Sequence, residues 1–289
     1  MSFFKNVRTA NAGGAAERIC LYGTGGVGKT SAAVSFPKAV VLPIEDGLDA
    51  LPHVPRFDPA PTKWEDVEAV LDEFIAGAGQ LPYKTLVIDT MDALEQWCWD
   101  YTCAHNYSKK KWESLETPGY GKGYSEANKV WRTRFFPRLD RLHARGIHIV
   151  LIAHSMLLTF KNPRGEDFDR YTLKMHKAVS KLTYEWVSDM FFCEHYTGVA
   201  VSKTKGGAGP TKAMGQSTSE RIARTVWDAA WDAKHRIRVP DEIVMPDPDE
   251  GSFYDALQLA RQAPREGRET ESAPDDSEAG EKASEDSDA

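Results

Sequence analysis

Gly23-Thr24-Gly25-Gly26-Val27-Gly28-Lys29-Thr30 fits the phosphate-binding loop pattern G-x-x-x-x-G-K-[ST] at every position. The apolar run Ile19-Cys20-Leu21-Tyr22 leads into it as a buried strand, and Thr30-Ser31-Ala32-Ala33-Val34 leads out as the start of a helix. The glycines let the backbone curl until several N–H groups face one phosphate. Lys29 is expected to reach the β- and γ-phosphates of ATP, and the Thr30 hydroxyl to sit on Mg²⁺. The expected nucleotide-binding set is therefore Gly23, Thr24, Gly25, Gly26, Val27, Gly28, Lys29, Thr30 and Ser31.

Working outward, three polar residues close apolar runs. Asp89 ends Thr85-Leu86-Val87-Ile88-Asp89. A carboxylate at a strand end beside a phosphate loop is the usual second holder of Mg²⁺; the competing role is a helix cap shared with Thr90 or Asp92. Glu45 follows the strand Ala39–Leu42 and is the candidate that orients or deprotonates attacking water. His154 follows Ile147–Ala153, the most hydrophobic run, which is expected to be a central parallel strand. From there His154 can sense the γ-phosphate; the alternative is a histidine satisfied locally at its strand end. Glu45, Lys29 and His154 form the expected catalytic set.

Strands alternating with helices predict an α/β P-loop fold, with a mainly parallel sheet covered on both faces. Helices are expected at 64–76, with Thr62 and Glu65 as a capping box, and at 91–104, 125–144, 174–187 and 252–262. Residues 105–124 and 161–170 read as irregular. Strands are expected at 190–193 and, antiparallel after a short turn, from 198.

The chain of 289 residues carries a net charge of −7. Residues 265–289 hold ten acidic and three basic residues, which is the whole of that charge. This stretch has no aromatic residue and is expected to be a disordered acidic tail. The remaining body is formally neutral and would not repel nucleic acid. No apolar run approaches the ~20 residues of a membrane span, the first residues show no signal-peptide core, and four cysteines lack framework spacing. A cytoplasmic protein is expected. The division expected is a flexible arm at 1–17, an ATPase core at 18–245, a short helical segment at 246–264 and the tail at 265–289.

Pro43-Ile44-Glu45-Asp46-Gly47-Leu48-Asp49 resembles the segment of RecA-type recombinases that holds their catalytic glutamate. Val201-Ser202-Lys203-Thr204-Lys205 followed by Pro210 resembles the RecA-type lysine pair, which reaches the ATP of a neighbouring subunit. With the loop, Leu86–Thr90, Gly121-Lys122-Gly123-Tyr124, the basic stretch 170–181 and Trp231–Arg236, the chain resembles phage-encoded RecA-like proteins that include single-strand annealing proteins. The resemblance covers about residues 18–245. The N-terminal region is shorter than the separate helical domain of bacterial RecA.

This resemblance implies a RecA-like core using ATP and Mg²⁺, with ATP at the interfaces of a homo-oligomeric ring or filament, where Lys203 and Lys205 would complete a neighbour's site. It implies single-stranded DNA as partner, a single-strand-binding protein as a further one, and a place in phage DNA recombination or replication. DNA contact falls to two stretches. The first interleaves Lys109, Lys110, Lys111 and Lys122 with Tyr107, Trp112, Tyr120 and Tyr124; cations track phosphates while rings stack on bases. The second, roughly 156–181, supplies Lys161, Arg164, Arg170, Lys174, Lys177 and Lys181. The alternative is solvated charge around locally packed rings. Two other functions stay open: a partitioning-type P-loop ATPase, although that class has a signature lysine where this chain has Thr24, and a nucleotide-gated adaptor with little hydrolysis.

Overall fold

A computed structural model describes residues 16–48, 51–108, 110–163, 165–201 and 213–262, with the side chains of 198–201 and 213–218 excepted. The chain runs β1 (Arg18–Gly23), α1 (Lys29–Val34), β2 (Ala39–Pro43), α2 (Trp64–Gly77), β3 (Thr85–Asp89), α3 (Met91–Ala104), α4 (Lys122–Val130), a π-helical turn (Trp131–Phe135), α5 (Phe136–His143), β4 (His148–Phe160), β5 (Phe168–Leu173), α6 (Lys177–Trp186), β6 (Asp189–Val201), β7 (Ala213–Arg224), β8 (Glu242–Val244) and α7 (Phe253–Gln262).

One sheet carries the strands in the order β2-β3-β4-β1-β6-β7-β8, with β5 on β4. The five from β2 to β6 are parallel, and β7, β8 and β5 are antiparallel to their neighbours. Period-two alternation divides β1 between two cores. Cys20 and Tyr22 face Trp64, Leu71, Leu94, Trp131 and Leu139 from the longer helices, while Ile19 and Leu21 face Ala33 and Phe36 beside α1 and Phe253 and Leu257 of α7. The expectation of a mainly parallel sheet covered on both faces holds, with the hydrophobic run 147–153 at its centre. The acidic tail and residues 1–15 lie outside the described residues.

Several boundaries differ from expectation. Lys63, not Thr62, precedes α2, and its side chain makes no cap bond. Of the two acids in the first turn, Glu65 and Asp66, it is Asp66 that accepts from the Thr62 N–H at 3.0 Å and hydroxyl at 2.9 Å. The long helix begins at Lys122 and widens into the π turn just before Pro137; proline lacks an N–H and crowds the preceding turn, which a wider turn relieves. The expected loop at 161–170 is partly a hairpin, because β4 runs on to Phe160 and pairs with β5. The two strands expected near 190 and 198 are one 13-residue strand with a register shift between His195 and Thr197.

The last helix is tied to the core. Phe253 and Leu257 are buried, each contributing about 1.5–3 kcal/mol. Arg261 donates to Glu17 at 2.6 Å and to Asp189 at 2.7 Å. No helix among the described residues is long and apolar enough to cross a membrane.

Candidate functional site

β1 ends at Gly23, and the chain turns through Gly26 (φ +77°) and Gly28 (φ +84°), backbone that L side chains rarely adopt, before α1 begins at Lys29. A Cβ on Gly23 would collide with the carbonyl oxygen of Cys193 on the adjoining β6, whereas Gly25 and Gly26 have open space where a side chain would stand. The first glycine thus lets two strand ends approach, and the others leave a cradle open to a ligand. Gly23→Ala should cost about 1–3 kcal/mol through backbone displacement, read as a lower denaturation midpoint; unchanged stability would show that the strand ends can part freely.

Lys29 is buried, and its Nζ donates to the loop carbonyls of Gly23 at 3.1 Å and Thr24 at 2.6 Å. Burial pulls its pKa down, opposed by the acidic groups around it. Thr30 Oγ1 donates to Asp89 Oδ2 at 2.7 Å. Burial pushes the Asp89 carboxyl up, and the Thr30 hydrogen bond works against that rise. Hydroxyl and carboxylate oxygens are hard donors that suit Mg²⁺, which takes one or two protein ligands beside phosphates. Among the described residues no group of three or more His, Cys, Asp or Glu forms a protein-only metal cage, so Thr30 and Asp89 are the residues that would hold the ion beside the loop.

The neighbouring strands deliver the other groups. The Ile44 and Glu45 amides reach the Asp89 carbonyl at 2.7 and 3.4 Å, fixing the end of β2 beside that of β3. Glu45 keeps 40% of its side chain exposed and lies 3.9 Å from His154 Nδ1. Within β4, His154 is level with Gly23. Sequence reasoning offered Asp92 only as a helix cap, yet its carboxylate accepts from the His154 amide at 2.9 Å and pairs with Nδ1 at 3.0 Å. Asp92 thereby favours the Nδ1–H tautomer and leaves Nε2 as an acceptor. Gly28, Lys29, Thr30, Glu45, Asp89 and His154 line one cleft of about 300 Å³.

The expected DNA residues divide. Lys110, Lys111, Lys122 and Tyr107 are exposed, and Tyr120 is fully so. Trp112 is buried, and Tyr124 stacks on His176 at 4.6 Å, so these two rings pack locally. Arg170 corrects an expectation: it is 8% exposed, donates to Asp232 at 2.6 Å and to the Trp231 carbonyl at 3.1 Å, and lies over the Trp227 ring. Tyr22 bonds the Asp232 backbone from the other side. Arg170 is therefore an internal brace, because a guanidinium so enclosed needs its partners. Lys161 is exposed and paired with Asp167 near the hairpin tip. Lys174 is held closer to the cleft, 4.0 Å from Asp92, with its amide on the His154 carbonyl at 2.8 Å. Lys177 opens α6 at the rim of an apolar pocket beside Met156 and Tyr184. Lys109, Arg164, Lys203 and Lys205 lie outside the described residues.

A family model described as an AAA domain matches residues 15–237. The chain is 27% identical over 139 residues to the SPbeta prophage-derived uncharacterized protein YorG of Bacillus subtilis (strain 168), an alignment covering 47% of this chain and 40% of that protein's length. A crystal structure of the RadB recombinase matches with a TM-score of 0.39 at 12% identity, covering 80% of this chain and 88% of that one.

Proposed function

The chain belongs to the AAA domain family, and from that premise we propose that it binds and hydrolyses ATP, and that as a homo-oligomer it couples this cycle to single-stranded DNA. The observation that carries the nucleotide reading is the Thr30–Asp89 hydrogen bond beneath an open glycine cradle, with Glu45 and His154 across the same cleft. Lys29 and the loop amides hold the phosphates, Thr30 and Asp89 hold Mg²⁺, and Glu45 takes the proton from attacking water. Bound Mg²⁺ would offset charge on the phosphates. Asp92 favours the His154 tautomer in which Nε2 can accept a hydrogen bond.

The DNA part is supported by the exposed Lys110, Lys111, Lys122, Tyr107 and Tyr120 in and beside one segment, a combination suited to phosphates and bases together. The likeness to a prophage-derived protein favours a phage setting, and the proposed place is DNA recombination or replication in the host cytoplasm. Lys203 and Lys205 are proposed to reach a neighbour's ATP in a ring or filament, and a single-strand-binding protein is the proposed further partner.

ATP hydrolysis measured with no DNA, with single strands and with duplex tests this reading. Strong stimulation by single strands is expected. Stimulation by duplex alone would favour a partitioning ATPase, and a rate indifferent to both would favour a nucleotide-gated adaptor. Removing residues 265–289, which carry the chain's net charge, should tighten single-strand binding, most at low salt, because a tethered polyanion competes with DNA. Identical binding curves from low to high salt would eliminate that competition.

A further inference from the structure

Gly28 has an unusual neighbour. A Cβ built on it would overlap Nη1 of Arg221 and lie 3.3 Å from its Cζ, so the guanidinium rests against the phosphate loop itself. Arg221 belongs to β7, level with His195 of β6. Its side chain is only 14% exposed, and Nη2 donates to the Pro246 carbonyl at 3.0 Å and to the Asp247 carboxylate. Asp247 itself keeps 67% of its side chain exposed.

The two flanks of the loop differ in chemistry. Glu45, Asp89, Asp92 and His154 come from the β2, β3 and β4 side of β1, whereas Arg221 comes from beyond β6 on the other side. None of the roles assigned to the first flank uses Arg221. Nor does holding β7 to β8 require its side chain near Gly28, since the Met245 amide already bonds the Arg221 carbonyl at 2.8 Å.

We propose that Arg221 binds the phosphates that ATP and ADP share, from the flank opposite Glu45, releasing Asp247 as it does so. The proposal rests on the nucleotide reading of the loop. With the terminal phosphate directed at Thr30, Asp89, Glu45 and His154, the remainder of the nucleotide leaves the loop by the other flank, where a cation is already in place. A guanidinium fork suits phosphate oxygens. One charge-assisted pair replaces another, and a largely exposed aspartate returns to water at little cost. A contact to the shared phosphates is uniform binding: it governs how tightly nucleotide is held, not how fast the terminal bond breaks.

The test is titration of the full chain with ATP and with ADP, for the wild type, Arg221→Ala, Arg221→Lys and Asp247→Asn, with turnover measured at saturating ATP. Arg221→Ala should weaken both nucleotides by the same factor, about tenfold to a hundredfold, and should raise KM far more than it lowers kcat. Arg221→Lys should recover part of the loss. Asp247→Asn should tighten both nucleotides several-fold by removing the competitor. Wild-type affinity in Arg221→Ala would overturn the proposal, as would Asp247→Asn weakening binding as Arg221→Ala does, the mark of a structural anchor. If Arg221→Ala fails to fold, the surface substitution Asp247→Asn decides alone. A wild type that binds neither nucleotide would instead remove the nucleotide reading, whereas intact wild-type binding with an indifferent Arg221 removes only this proposal.

Discussion

Lys29→Ala should lower ATP affinity by about a hundredfold or more, enough to leave no tight complex at ordinary nucleotide concentrations. The size of the effect follows from where the ammonium sits. It is buried, burial depresses its pKa, and its hydrogen bonds go to two loop carbonyls, Gly23 and Thr24. Carbonyls satisfy the donors of a lysine without neutralising its charge, and an arriving polyphosphate adds a directly bonded countercharge to that of the surrounding acidic groups. Alanine removes that attraction at the centre of the cradle. It also removes a buried cation whose desolvation weighs against the fold, so the domain should keep its thermal midpoint in the absence of nucleotide. Direct titration with ATP, alongside a melting curve without ligand, separates the two effects. Unchanged ATP affinity in a folded Lys29→Ala protein would remove the foundation of the nucleotide reading.

What the sequence disclosed follows from which interactions are local. The phosphate loop is a contiguous stretch in which Gly26 and Gly28 answer to its own turn, so its geometry is legible residue by residue. The parallel strands were legible because burial on both faces leaves nearly unbroken apolar runs, as in Leu86–Ile88 and Ile149–Ala153. β5, β7 and β8 were not, because strands such as Phe168–Leu173 and Glu242–Val244 mix charged and apolar residues and owe their form to a partner. The same division runs through the site. Asp89 and Glu45 stand at strand ends beside the loop, and position suggested a role for each. Asp92 could be read only as a cap until the fold brought it to His154. Arg221 had no signal at all, since its approach to Gly28 is made by strand pairing across the one intervening strand, β6. Arg170 misled for the reverse reason: a basic stretch looks like a solvated face until Asp232 and Trp227 close around it.

Glu45→Gln should leave ATP binding nearly intact and slow hydrolysis by roughly two to four orders of magnitude, the range for losing a general base. The amide keeps the size of the carboxylate and its place beside the end of β3, because the Glu45 backbone, not the side chain, bonds the Asp89 carbonyl. What it loses is the capacity to accept a proton. Partial exposure matters here: the Glu45 side chain is 40% exposed and within reach of water, whereas Asp89 is buried, which raises its pKa. In the proposed cycle the two acids have different tasks, Glu45 receiving a proton and Asp89, hydrogen-bonded to Thr30, holding a cation. Single-turnover hydrolysis should therefore fall far more than ATP affinity, and if the oligomer releases DNA on hydrolysis, the variant should stay on single strands longer. Wild-type turnover in Glu45→Gln would pass the role to His154, whose Nε2 is left as an acceptor by the Asp92 contact at Nδ1. In that case Asp92→Asn should depress turnover instead, by disturbing the tautomer, while Glu45 would be reduced to shaping the rim of the cleft.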